Sequence, residues 1–333
     1  MKIMKNEKPS VSIIIPVKEM NDYIKESISH ILDLDYDDFE ILVFPDVENK
    51  ESFERTRIIP TGKIGPAQKR NLGSEHSRGE ILAFLDDDAY PRKDWLKNAV
   101  YHFRTSNIAA VGGPAVTPKD DSFGQKVSGA VFLSRLSGGN PERYWPTGEI
   151  REIDDWPSVN FLIRKSDFLT VGGFDCEFWP GEDTKLCLDL IKKLGKKIIY
   201  DPSVLVFHHR RVGLKKHLKQ IGNYGIHRGF FAKKYPENSF KLKYFIPAGF
   251  FIFVVLGWIL LFFPHPFKFA YFSIWLIYLL ALIVSFFDIY LKIKDIKVTL
   301  ATMPYIFLTH FYYGWRFIKG FIFTKNLKSK LRQ

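Results

Sequence analysis

Hydrophobic and polar positions change character along the chain. Up to about residue 209, short apolar runs alternate with amphipathic stretches; beyond residue 243 apolar residues dominate. Residues 11–17 (VSIIIPV), 39–44 (FEILVF) and 81–85 (ILAFL) are continuous apolar runs of buried-strand length, and 57–59 read as a shorter strand. Between them, Asn21 or Asp22 can cap a helix whose apolar stripe is Tyr23, Ile24, Ile28, Ile31 and Leu32. Gly65-Pro66-Ala67 opens another, running to about Ser77, with Pro66 in its first turn. Buried strands alternating with helices predict an α/β fold around a mostly parallel sheet.

The second half follows a different solvent. Residues 244–263 are 20 positions without a formal charge, and 269–287 are 19 more. A bilayer core about 30 Å thick takes about 20 apolar helical residues, so each run is long enough to cross. Two buried helices of a soluble core would show a polar face at this length. The pattern therefore predicts a transmembrane hairpin with Pro264 and Pro266 in its tip. A third run, 298–323, contains Pro304, His310, Arg316 and Lys319 and leads into Lys325, Lys328, Lys330 and Arg332. It is either a third span or a broken, re-entrant or interfacial helix; the latter keeps the basic tail on the side of the other basic flanks.

Charge orients this arrangement. The net charge is +12, and residues 205–243 hold ten Lys or Arg against the single acid Glu237. Lys292, Lys294 and Lys297 follow the hairpin, whereas its tip has only Lys268. That bias places both flanks, and the residues before them, in the cytoplasm, as a multi-pass protein of the cell membrane. Leu214, Leu218 and Ile221 recur at helical spacing among Lys215, Lys216 and Lys219, with Phe230, Phe231 and Tyr235 beyond. Such a basic amphipathic segment beside a membrane span suits anionic lipid head groups rather than nucleic acid. Residues 1–10 lack an apolar core, which predicts no secretory leader. Two cysteines, Cys176 and Cys187, exclude a disulfide framework and fit a reducing compartment. The chain thus reads as a soluble domain (1–209), an interface segment (210–243) and a transmembrane region (244–333).

Ligands of open α/β sheets collect beyond the carboxyl ends of the strands. Lys18, Glu19, Asp46 and the run Asp86-Asp87-Asp88 stand there. Three consecutive carboxylates repel one another unless positive charge lies between them. A divalent cation held by oxygen ligands and bridging to substrate phosphates fits; an acidic turn before the helix starting near Pro91 is the alternative.

Taken in order, these segments resemble a family 2 glycosyltransferase of the GT-A fold. The resemblance runs from about Val11 to Gly225 and rests on VSIIIPV, FEILVFPD, GPAQKRNLG, FLDDDAYPRKDWL, SVNFLIRKSDFLTVGGFD and WPGEDTKLCLDLIKKLG. It implies a GT-A, Rossmann-like catalytic domain using a nucleotide sugar of the UDP or GDP type, with Mg²⁺ or Mn²⁺ as cofactor. Asp86 and Asp88 would be the Asp-x-Asp pair, Asp88 on the metal and Asp86 on the ribose or the metal's water shell, with Asp87 beside them on the donor. Glu19 and Asp46 match positions that hold base and ribose, although Pro45 replaces an acid often found there. Lys69 and Arg70 sit where a cation could approach the donor, with a solvated helix face as the alternative for at least one of them, and Asn160 would hydrogen-bond the donor sugar. His208 or His209 falls where a basic group stands near metal or pyrophosphate; adjacent strand residues point to opposite faces, so one of them is structural. Glu182-Asp183 matches the family's acidic pair, with Asp183 as general base, and acids also favour a helix N-terminus. Trp156 and Trp179 flank that region as either an acceptor wall or ordinary core.

A departure bears on the product. Processive members carry Gln-x-x-Arg-Trp after the base; here Gln220 is followed by Ile221, Gly222, Asn223 and Tyr224. The expected enzyme adds a single sugar, with inversion, to a lipid-linked acceptor, either a polyprenyl phosphate or a polyprenyl-diphosphate oligosaccharide. Cell-surface glycan or polysaccharide biosynthesis is the expected setting. The alternatives are a degenerate transferase serving as a membrane scaffold and a nucleotidyltransferase. The latter would carry a Gly-rich phosphate loop where Pro16-Val17-Lys18-Glu19 stands.

Overall fold

The computed structural model describes residues 8–178 and 180–327; Trp179, the start of the chain and the tail residues Lys328, Lys330 and Arg332 lie outside them. In chain order the described elements are β1 (Val11–Pro16), α1 (Asp22–Leu32), β2 (Phe39–Phe44), β3 (Thr56–Ile58), α2 (Pro66–His76), β4 (Ile81–Leu85), β5 (Ala89–Pro91), α3 (Trp95–His102), β6 (Ile108–Gly112) and β7 (Ala115–Val116). They continue with α4 (Phe123–Ala130), α5 (Arg135–Gly138), β8 (Arg151–Ile153), β9 (Asn160–Arg164), α6 (Lys165–Val171), α7 (Glu182–Leu194), β10 (Lys197–Tyr200) and β11 (Val206–His208). Five helices close the chain: α8 (Leu214–Lys234), α9 (Pro236–Ser239), α10 (Leu242–Leu256), α11 (His265–Ile293) and α12 (Ile296–Ile318).

These elements form two compact units. The first comprises the chain up to Val116 and Trp145–His209. Its eight-stranded sheet has the order β3-β2-β1-β4-β9-β6-β10-β8. β3, β2, β1 and β4 are mutually parallel, β9 runs antiparallel between β4 and β6, and β10 returns parallel to β6. A small sheet, β5-β11-β7, stands beside it. β1, β4 and most of β2 are buried on both faces, which is why they are uninterrupted apolar runs rather than alternating ones. Asn21 caps α1, its Oδ1 accepting the Ile24 amide at 3.1 Å.

The second unit comprises Thr117–Tyr144 and Arg210–Leu327. Arg210 opens the longer segment of this unit, and α4 and α5 belong to it as well. His217 shows how they are held. Its Nδ1 lies 2.8 Å from Ser128 Oγ on α4 and its Nε2 2.8 Å from Thr309 Oγ1 on α12. Burial pushes its pKa down to about 4, so the neutral ring joins the two hydroxyls. Further along, Lys292 Nζ donates to Leu133 O, and His310 Nε2 donates to Ser137 O at 2.8 Å.

The segment from Leu242 to Phe262 and helix α11 are long and apolar enough to cross a membrane, and their most apolar windows are only 6% and 11% buried. Core helices of a soluble protein are mostly covered, and these are not. The hairpin is tighter than expected: α11 resumes at His265, directly after Pro264, and runs on to Ile293, where Lys292 pairs with Asp288 at 2.8 Å. α12 is one helix through Pro304, not a broken one, and Arg316 Nε donates to Gly222 O at 3.1 Å.

α8 packs on α12 through glycines that hydropathy passes over. A Cβ on Gly222 would lie 2.4 Å from the Tyr312 ring, and one on Gly229 would lie 2.2 Å from Phe317 O. Ile221, expected on a lipid-facing stripe, is buried with them. Gly229→Ala is expected to cost about 1–3 kcal/mol by forcing two backbones apart. Gly249→Ala, whose Cβ would meet nothing within 4 Å, is the control. Thermal unfolding of the detergent-solubilised chain reads both; equal melting temperatures for the two variants would refute the close contact.

Candidate active site

At the carboxyl end of β4 the chain turns through Asp86, Asp87 and Asp88 into β5, which pairs antiparallel with β11. This pairing sets His208 opposite the acidic turn: its Nε2 lies 3.0 Å from Asp88 Oδ1, and the His209 amide donates to Asp88 O at 2.9 Å. Ligand atoms of Asp86, Asp88 and His208 all lie within 4.8 Å of one another. Two carboxylates and an imidazole are a donor set that a divalent cation can use, with coordination left for water and phosphate. The neighbouring His209 turns to α1, with Nε2 3.0 Å from Glu26 Oε2 and its ring stacked on Tyr23 at 4.5 Å. It is the structural member of the pair, as strand alternation requires.

α2 supplies the positive charge. Lys69 is 2% exposed, and its Nζ donates to Val17 O at 2.6 Å, to Phe44 O at 3.0 Å and to Asp46 Oδ1. One ammonium therefore closes the carboxyl ends of β1 and β2 and fixes Asp46; it does not reach outward to a donor. Glu19 is exposed on the same rim. Arg70 is also buried, with Nη2 2.6 Å from Asp86 Oδ1 and Nη1 3.1 Å from Glu182 Oε1. Its guanidinium lies over the Phe174 ring, 5.6 Å from the centroid. A helix of low amphipathicity burying two cations is not visible from periodicity, because the acceptors come from distant strand ends.

α7 brings the second acidic group. Gly181, at φ 119°, turns the chain into the helix in a conformation that favours glycine. Glu182 is 4% exposed and Asp183 half-buried, its Oδ1 accepting the Thr184 amide at 2.8 Å. Burial, reinforced by the Asp183 charge and opposed by Arg70, raises Glu182 to about 8. Of the acidic pair, Asp183 is therefore the one with an accessible carboxylate.

Two expected ligand contacts lie in the scaffold. Asn160 is fully buried: its Oδ1 accepts Trp95 Nε1 at 2.9 Å, and its Nδ2 donates to Val204 O at 2.8 Å and Pro114 O at 3.2 Å. Its amide is consumed in tying β9 to neighbouring loops, so no group is left for a donor sugar. Trp156 is 2% exposed, donates to Gly113 O at 3.1 Å and packs on Tyr200. It is core rather than a wall for a sugar ring.

The family model for glycosyl transferase family 2 matches residues 12–168. Residues 12–168 are thus a stretch similar to the family 2 glycosyltransferase domain. The match spans Glu19, Asp46, α2 and the acidic turn, and it removes the nucleotidyltransferase reading. One relative extends the likeness across most of the chain. The chain is 25% identical to a dolichyl N-acetyl-α-D-glucosaminyl phosphate 3-β-D-2,3-diacetamido-2,3-dideoxy-β-D-glucuronosyltransferase of Methanococcus voltae, over 94% of this chain and 97% of that one. A glucosyl-dolichyl phosphate glucuronosyltransferase of Haloferax volcanii is 23% identical over 60% of this chain and 68% of its own length. A pre-mycofactocin glycosyltransferase of Mycobacterium tuberculosis is 30% identical over 59% of this chain, which spans only 40% of that relative. Among solved structures, a mannosyltransferase of Pyrobaculum calidifontis in complex with GDP-Man and Mn²⁺ matches with a TM-score of 0.54 at 17% identity, covering 96% of this chain and 89% of that one. That likeness identifies the GT-A fold.

Proposed function

We propose that the protein transfers one sugar, with inversion, from a nucleotide-sugar donor to a polyprenyl-phosphate-linked saccharide at the cytoplasmic face of the membrane. The observation that carries this reading is the convergence of Asp86, Asp88 and His208 at the strand ends of a family 2 domain. Names of two relatives describe transfer to sugar-bearing dolichyl phosphates, and the apolar hairpin with its basic flank suits such an acceptor and anionic lipid around it.

Asp86, Asp88 and His208 would hold Mg²⁺ or Mn²⁺. When bound, the cation supplies positive charge against the departing diphosphate. Glu19 and Asp46 take the nucleoside side of the donor, and Asp87 flanks the diphosphate. Asp183 accepts the proton of the acceptor hydroxyl as that oxygen bonds to the anomeric carbon. The bond from this carbon to the diphosphate oxygen breaks on the opposite face. The electron pair leaves with the nucleoside diphosphate, and no covalent sugar–enzyme bond is needed.

The test is a screen of nucleotide sugars with membranes containing the full chain and their extracted polyprenyl lipids. Mass analysis is expected to find the lipid heavier by one sugar residue in the presence of Mn²⁺. Products carrying many added sugars, or sugar added only to water-soluble acceptors, would overturn the reading.

A further inference from the structure

Arg70 binds both acidic clusters at once. Asp86 belongs to the candidate cation cluster and Glu182 opens the helix that bears Asp183, and the two guanidinium nitrogens bridge them at 2.6 and 3.1 Å. The bridge is incomplete: Arg70 Nε and Glu182 Oε2 are buried without a hydrogen-bond partner. Buried charges normally satisfy all their polar atoms, since an unmade hydrogen bond costs about 1–3 kcal/mol and more for a charged group. One guanidinium thus holds both carboxylates with a donor to spare, and because it carries a single charge, a shift of the group toward Asp86 is a shift away from Glu182.

We infer that Arg70 is a positioning residue that couples the cation cluster to the base-bearing helix, by sharing one positive charge between Asp86 and Glu182. A cation drawing on Asp86 releases the guanidinium toward Glu182 and firms the first turn of α7. Loading of the donor side is thereby transmitted to the base. By reciprocity, the state of Glu182 sets how freely Asp86 is available to a cation. This rests on reading Asp86, Asp88 and His208 as the cation site.

The experiment titrates Mg²⁺ into the detergent-solubilised full chain by calorimetry at pH 8.5, above the point to which Glu182 is raised. In the wild type, E182Q is expected to weaken Mg²⁺ binding about fivefold, because Arg70 then settles wholly on Asp86. In an R70Q background the same change is expected to alter it less than about twofold. R70Q alone is expected to tighten Mg²⁺ binding, having removed a competing cation, while transfer slows; a residue that merely supports the fold would lose both. R70M, also uncharged and of similar length, replaces R70Q in the cycle if the latter does not fold. Equal effects of E182Q in both backgrounds, or weaker Mg²⁺ binding in R70Q, would overturn the coupling alone. No Mg²⁺ binding by the wild type would overturn the site and the coupling with it.

Discussion

Asp183→Asn is expected to slow sugar transfer by about a hundred- to ten-thousand-fold, the range that a positioned general base supplies. The change is nearly isosteric, and an amide oxygen can still accept the Thr184 N–H that Asp183 now accepts at 2.8 Å, so the first turn of α7 is preserved. What disappears is a carboxylate able to take a proton from an alcohol whose own pKa lies far above neutral. Because Asp183 is not one of the clustered groups Asp86, Asp88 and His208, donor binding should survive while turnover collapses. Initial rates together with donor affinity check this separation. Full activity in Asp183→Asn would mean that another group, or solvent alone, removes the proton.

Asp88→Ala is expected to weaken cation-dependent binding of a nucleoside diphosphate by more than about 100-fold. Loss of groups that merely orient metal ligands already costs 10–100-fold in affinity. Asp88 is the buried member of the acidic turn and the direct partner of His208. Its removal leaves Asp86 and one imidazole, too few anchors for a hard cation that prefers oxygen. Calorimetry with and without Mn²⁺ measures the loss; unchanged Mn²⁺-stimulated binding would remove Asp88 from the site.

The parts of the molecule legible in the sequence are those governed by local periodicity. β1, β2 and β4 declare themselves because both faces of each strand are covered, which leaves no polar alternation to mislead. The acidic turn after β4 declares itself because three adjacent carboxylates are costly without a counter-charge. The roles of Lys69 and Asn160 are illegible for a common reason: each satisfies backbone carbonyls remote in sequence, and nothing near either residue announces them. The second acidic group of the site, Glu182-Asp183, was found through family likeness, but its bridge to Asp86 through Arg70 spans 112 positions and follows only from the fold. The glycines of α8 escaped because hydropathy scores what a side chain prefers, whereas Gly222 and Gly229 matter by having none.

The excursion of Thr117–Tyr144 into the helical unit has a bearing on heredity. The chain leaves the first unit at Val116, comes back at Trp145 and departs again after His209. A single crossover at the 209/210 junction would therefore pair one ancestor's α4 and α5 with another's helices, mismatching the Ser128–His217–Thr309 bridge. A chimaera that exchanges the helical part is thus expected to fold well only when residues 117–144 travel with it.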